Sequence, residues 1–237
     1  MALLKLSIML CTMLFSLSLS GATSPKNIFI LAGQSNIAGR GGVEKDQLGN
    51  LVWDRLVPPE CMPFAHHLLA KAGPNACVVG LVPCARGGTL IEQWIKNPSN
   101  PNATFYKKFI ERIKASDKDG GVVRALFWFQ GENDAAMSDT AHRYKDNLKF
   151  FFTDIRNDIK PRFLPIILAK IATYDPFMKH DTHDLVAVRA AHEEVSKELP
   201  DILTIDVLQL PINFRTKAGF NLDHAHFNTN TEIVVGK

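Results

Sequence analysis

The stretch NIFILAGQSNIAGRGG, residues 27–42, decides how this chain is read. After Asn27 come Ile, Phe, Ile, Leu and Ala without interruption, and then Gly33-Gln34-Ser35-Asn36. An apolar run without polar alternation is the pattern of a strand covered on both faces, as in parallel sheets. Gly33 permits a tight turn, so Ser35 is expected to project beyond the carboxyl end of that strand. The logic is that of a nucleophile elbow, although the G-x-S-x-G spacing is absent. A following helix would aim backbone N–H groups at an anion formed near Ser35. Two other readings stay open here: Ser35 or Asn36 as a helix N-cap, and Gly39-Arg40-Gly41-Gly42 as a phosphate loop, though no Lys-Ser/Thr follows it.

Working outward, four more segments share this strand pattern: Cys77–Val82, Val122–Phe129, Phe163–Ile171 and Ile202–Val207. Helical periodicity falls between them. It predicts helices over Pro63–Lys71, Ala103–Ala115, Thr140–Ile159 and Asp184–Leu199, and a last one from Thr229 to Val235. In Thr140–Ile159 the residues Tyr144, Leu148, Phe151, Ile155 and Ile159 recur at helical spacing. Strands alternating with helices imply an α/β fold, a parallel sheet with helices on both sides. Ligand sites in such sheets lie beyond the carboxyl ends of the strands.

Three later strand-end loops therefore matter. PCARGGT, residues 83–89, offers Gly87-Gly88, where backbone can approach a neighbour closely and give an N–H to an oxyanion. WFQGEND, residues 128–134, offers Gln130 and Asn133, whose side-chain amides can donate to an oxyanion at fixed geometry. Its bland reading is that Asn133 or Asp134 caps the next helix. LDHAHFN, residues 222–228, sets Asp223 three residues before His226, a spacing that lets a carboxylate orient an imidazole. A serine, an Asp-x-x-His and two donor loops are the set that acyl transfer requires.

The 237 residues suit one domain, or at most two small ones, with a substantial core, and a net charge of +3 without a Lys/Arg run argues against nucleic-acid or membrane-surface binding. Residues 1–22 read as a secretory signal peptide: Lys5, an apolar stretch from Leu6 to Leu19, then Ser20-Gly21-Ala22. The run is shorter than the roughly 18–20 residues of a spanning helix. The mature chain, residues 23–237, is thus expected outside the cell. Cys61, Cys77 and Cys84 would remain, one disulfide and one free thiol, without a pairing legible in the sequence. Asn102-Ala103-Thr104 is a glycosylation sequon.

On FILAGQSNIAGRGG, GLVPCARGGT, WFQGENDA and DHAHFN together, the chain resembles the SGNH (GDSL-like) hydrolases. Within them it is similar to plant carbohydrate esterases with a sialate O-acetylesterase-type domain, carbohydrate esterase family six. The resemblance implies a three-layer α/β/α sandwich around a mainly five-stranded parallel sheet of flavodoxin-like topology. It implies removal of O-acetyl groups from carbohydrate through an acyl-enzyme, with no metal or cofactor and a monomeric enzyme. By the same resemblance Ser35 is the nucleophile, His226 the base and then acid, and Asp223 its orienting carboxylate. The oxyanion hole would use the Ser35 N–H, an N–H from Gly87 or Gly88, and the amide of Gln130 or Asn133. Gln34, Asn36 and Glu132 would meet substrate. Against the family pattern, the sequence is expected to be short of a segment after Cys61 and of much of its last helix.

Two rival readings carry their own residues. A metal-dependent hydrolase would draw ligands from His66-His67, from His180, Asp181, His183 and Asp184, and from Asp223 and His226, but Asp181 or Asp184 caps a following helix equally well. A non-catalytic carbohydrate-binding relative would keep the fold and lose turnover. If His226 is the base, activity rises through its titration and levels off on the alkaline side.

Overall fold

In the computed structural model, strand β1, Lys26–Gly33, is buried at every position after Lys26. The residues described are 26–39, 43–45, 48, 51–53, 61–73, 78–96, 99, 104–118, 120–159, 163–172, 182–212, 219–220 and 226–237. Residues 1–25, Cys77, Asn102, His180, Asp181 and Asp223 lie outside them, as does the side chain of Cys61, so the expected signal peptide at 1–22 falls outside the described residues.

β1 is buried because it has a parallel neighbour on each side. β4, Val79–Pro83, lies on one edge, and β5, Gly121–Phe129, on the other. β6, Ile166–Lys170, and β7, Ile202–Asp206, complete a five-stranded sheet of order β4-β1-β5-β6-β7 with every pairing parallel. This is the doubly wound order in which the chain first steps outward from β1 and then returns past it. The reversal opens a crevice between the carboxyl ends of β1 and β5.

Alternation along the strands divides the core into two layers. Ile28, Ile30, Leu126, Trp128, Ile166 and Leu168 share one cluster, together with Trp94, Phe109 and Phe151 from the covering segments. Those segments include helices α2, Thr104–Asp117, α3, Ser138–Asp158, and α4, Thr182–Glu198. Phe29, Ala125 and Ile167 form the other cluster beneath Phe64 and Leu68 of α1, Cys61–Ala72. Phe64 meets Phe29 edge-on at 5.0 Å and Phe127 at 4.7 Å, separations at which aromatic pairs add stability beyond area alone.

The helices match their sequence periodicity to within a turn, and α5, Thr229–Val235, begins where expected, with Asn228 Oδ1 accepting the Thr231 N–H at 3.1 Å. Three features differ from expectation. The strand predicted from Phe163 starts at Ile166, because Pro165 has no N–H to give to a ladder and Phe163 stands in solvent. Residues 35–39 form turns instead of a helix, closed by Ala38 N–H to Gln34 O at 3.0 Å and Gly39 N–H to Asn36 O at 3.2 Å. β2, Val43–Lys45, and β3, Leu51–Trp53, make an antiparallel pair too short to show a period.

Candidate active site

Gly33 is where β1 can turn. Its φ is +133°, and a Cβ there would stand 2.0 Å from the Phe129 carbonyl oxygen. No side chain fits, so the ends of β1 and β5 touch through backbone. The Gln34 N–H donates to that same Phe129 oxygen at 3.0 Å, and the Arg86 N–H donates to Gly33 O at 2.9 Å. Ser35, largely buried, is thus held at the crevice between β1 and β5 with the loop after β4 drawn over it. A Cβ on Gly87 would lie 3.4 Å from Ser35 Cβ, so the bare Gly87 backbone packs on the serine.

The loop after β5 is laced to the loop after β4. Gln130 Nε2 donates to Thr89 O at 2.8 Å and to Asp134 Oδ2 at 2.6 Å, with Gln34 Oε1 at 3.3 Å. The Asp134 carboxylate also accepts the Ile91 N–H at 3.1 and 3.2 Å. Asn133, half-buried, donates from Nδ2 to Gly88 O at 3.0 Å. The two candidate amides therefore stand differently. Gln130 has no exposed surface and already bonds both loops, while Asn133 sits at the cleft beside Gly88.

Burial raises the Asp134 carboxyl to about 7, against the pull of the Gln130 and Ile91 donors. Behind it, Tyr144 Oη donates to Gln130 O at 2.7 Å and lies 2.9 Å from His192 Nε2. A hydroxyl has one proton, so His192 is the Nε2–H tautomer donating to Tyr144. Burial drives its pKa down to about 3, and the ring stays neutral. Gly131, with φ +136°, fits beneath this pair, since a Cβ would come within 2.7 Å of Val188 Cγ1 and 3.3 Å of Tyr144 Oη.

Asn36 joins the nucleophile loop to the histidine loop. Its Nδ2 donates to Glu132 Oε1 at 2.8 Å, and its Oδ1 accepts the Phe227 N–H at 3.1 Å. Phe227 is fully buried against Phe129 and Phe220, which anchors the residue after His226. Burial raises the Glu132 carboxyl, with the Asn36 bond and the charge of His226 acting the other way. His226 and Glu132 thus share one electrostatic environment. Ser35, Gln34, Asn36, Gly87, Gly88, Gln130, Glu132 and Asn133 are all found in the loops at the carboxyl ends of β1, β4 and β5, and His226 is tied to them through the backbone of its neighbour Phe227. Asp223 and Asn102 lie outside the described residues.

Other candidates fall elsewhere. Asp184 is buried and accepts the Ser138 hydroxyl at 3.1 Å, joining the starts of α3 and α4, and His66 is exposed on α1. Cys84 is a free thiol whose burial raises it to about 12, so it stays protonated. The Tyr144–His192 pair was not singled out from the sequence. Tyr144 reads there only as one more residue of an apolar helical face. A histidine at the buried positions of α4, beside Val188 and Val195, was the available signal.

The parallel sheet of order β4-β1-β5-β6-β7, with a serine in the turn after β1, agrees with the SGNH-type hydrolase architecture that the sequence resembles. The chain belongs to the family described as carbohydrate esterase, sialic acid-specific acetylesterase, which matches residues 25–63 and 60–237. It is 30% identical to a probable carbohydrate esterase of Arabidopsis thaliana over 90% of this chain and 88% of that one. The crystal structure of the Arabidopsis protein superposes with a TM-score of 0.73 at 29% identity, covering 90% of this chain and 95% of that one. An acetyl xylan esterase from Geobacillus stearothermophilus shares the fold, with a TM-score of 0.57 at 14% identity over 91% and 92% of the two chains. By family, the protein is a hydrolase of carboxylic esters, a carbohydrate esterase.

Proposed function

We propose that this protein removes O-acetyl groups from plant cell-wall carbohydrate by an acyl-enzyme mechanism, outside the cell. Ser35 attacks the acetyl carbonyl carbon while His226 takes its proton. The tetrahedral oxyanion collapses, and His226 returns the proton to the departing sugar hydroxyl. Water, deprotonated by His226, then releases acetate and restores Ser35. The oxyanion is met by the N–H groups of Ser35 and of Gly87 or Gly88, and by the Asn133 amide. Asn133 is favoured over Gln130 because both Gln130 amide protons have partners within the protein.

One observation carries this reading: Asn36, directly after Ser35, bonds the backbone of Phe227, directly after His226. Residues 191 positions apart in the chain are thereby tied at one strand end, as a serine and its base must be. The test is acetate release from p-nitrophenyl acetate and acetylated xylan by wild type and Ser35→Ala. A loss on the order of 10⁴–10⁶ in kcat is expected. Equal rates would sink the serine mechanism, and a folded but inert wild type would favour a non-catalytic carbohydrate-binding protein.

A second reading changes only the carboxylate. Asn36 holds Glu132 through its Nδ2 and the Phe227 N–H, next to His226, through its Oδ1, so Glu132 is the described carboxylate placed to orient His226 in place of Asp223. Comparing Glu132→Gln with Asp223→Asn separates the two: the variant with the larger drop in kcat at unchanged KM identifies the partner.

A further inference from the structure

A cavity of about 200 Å³ lies beside the cleft, between the loop after β4 and helix α2. Its walls include Cys84, Arg86, Trp94, Phe105, Lys108 and Arg112. The charged residues among them are all cations. Lys108 and Arg112 sit one turn apart on α2 and are exposed, a like-charge pair that weakens a helix slightly. Arg86 is exposed as well, with its guanidinium 5.1 Å over the Phe105 ring, which holds the charge at the rim. Arg112 Nη1 donates to Pro83 O at the end of β4. Among the described residues no carboxylate pairs with any of the three, although the surface ion pairs of Lys96, Lys145 and Lys170 show that acidic partners are common elsewhere.

Three cations without a carboxylate partner around one aromatic-walled hollow form a positive site that an anion can fill. The position says which kind. Arg86 lines the cavity and directly precedes Gly87, whose backbone packs on Ser35, so one wall of the cavity belongs to the loop that covers the candidate nucleophile. At about 200 Å³ it is smaller than the roughly 300–1,000 Å³ of a site enclosing a whole small ligand, and suits one residue of a longer substrate. A guanidinium fork matches a carboxylate bidentately.

We infer that this cavity is a subsite for the carboxylate of an acidic sugar, so that the substrates are O-acetylated chains carrying uronic-type residues beside the acetylated one. The inference rests on the esterase reading above and narrows its substrate class. A neutral acetylated chain would leave Arg86, Lys108 and Arg112 unmatched. An acidic one gains from all three, and the gain is screened by salt.

The test compares kcat/KM for O-acetylated trigalacturonate with its methyl ester, which keeps the acetyl groups and loses the charge. Wild type is expected to prefer the acid about tenfold at low ionic strength, with the preference shrinking in high salt. Lys108→Gln with Arg112→Gln should bring the ratio near one. Because Arg112 also holds Pro83, Lys108→Gln alone is measured beside it and should lower the ratio several-fold. Equal rates on acid and ester in wild type, or a ratio unmoved in both variants, overturns the proposal. A second arm needs no turnover: unacetylated trigalacturonate titrated into Ser35→Ala should bind about tenfold more weakly when Lys108 and Arg112 are both replaced. Acetate at equal concentration should not displace it. Unchanged affinity, or displacement by acetate, overturns the subsite. A wild type inert on p-nitrophenyl acetate would end the esterase reading while this titration still decides the subsite.

Discussion

Behind the cleft, Gln130, Asp134, Tyr144 and His192 are out of solvent and bonded to one another, while at its rim Arg86, Lys108 and Arg112 stand in water with no acidic partner among the described residues. Both regions are polar. The first is neutral at His192 and close to neutral at Asp134, since burial lowers one and raises the other. The second keeps its charge. A buried polar group is costly without a partner, and Gln130 Nε2, the Asp134 carboxylate and Tyr144 Oη all have one while Gln130 Oε1 and His192 Nδ1 do not, so the bonds that are made hold the first region in one geometry. An exposed charge costs little and reaches outward, so the second region is free to meet a ligand.

The largest effect is expected where the buried side meets the nucleophile turn. Gly33→Ala puts a methyl 2.0 Å from Phe129 O at a φ that alanine rarely adopts. The variant should lose upwards of about 3 kcal/mol, read from urea unfolding, because both contacting atoms are backbone and neither can move aside. A loss under 1 kcal/mol would mean that the β1 and β5 ends are not locked together.

Next in size is Asp134→Ala. It strands the Ile91 N–H and one donor of Gln130 in a site without water access, at about 1–3 kcal/mol for each unsatisfied group. Asp134→Ala should therefore cost about 2–6 kcal/mol, and it should also lower kcat, since the loops flanking Ser35 lose one of the ties between them.

The pH dependence tests the comparison in a second way. Asp134 has a folded pKa raised to about 7, so its contribution is fully present below the unfolded value and is lost as pH rises toward 7. His192 has a folded pKa lowered to about 3, so its contribution is present above about 6.5 and is lost as pH falls. Between pH 4 and 6.5 the two slopes oppose, each near 1.4 kcal/mol per pH unit. Removing one should expose the other. In Asp134→Asn, stability should rise by about 2–3 kcal/mol from pH 4.5 to 6.5 relative to the wild-type trend; in His192→Gln it should fall by a like amount. Parallel profiles in all three proteins would show that neither group is neutral in the folded state.

The same division explains how much of the molecule was legible in the sequence. The sheet was, because Ile28–Ala32, Leu126–Phe129 and Ile166–Ala169 are short, continuous apolar runs separated by helical patterns, as strands covered on both faces are. The candidate site was legible as strand-end loops, because Gly33, Gly87 and Gly131 mark places where backbone approaches backbone or a packed side chain, and Gly88 turns at a φ of +72°. What could not be read were bonds between loops far apart in sequence. Asn36 to Phe227, Gln130 to Thr89 and Asp134 to Ile91 follow from the order of the strands, and no local pattern encodes them. His192 belongs to the same class: its role depends on Tyr144, 48 residues earlier. The short β2–β3 pair and the turns after Ser35 escaped for another reason, since three to five residues carry no period.

The smallest effect concerns the rim, and its sign is what matters. Replacing an exposed side chain usually changes stability by less than about 0.5 kcal/mol. Lys108→Gln should go slightly further in the favourable direction, because it relieves the i,i+4 repulsion with Arg112 and leaves no carboxylate unpaired, for a gain of about 0.2–0.5 kcal/mol at low salt. Urea unfolding at two ionic strengths measures it, and the gain should vanish in high salt, where the repulsion is already screened. A destabilised Lys108→Gln would instead place this lysine among the structural groups and erase the distinction between the rim and the interior behind it.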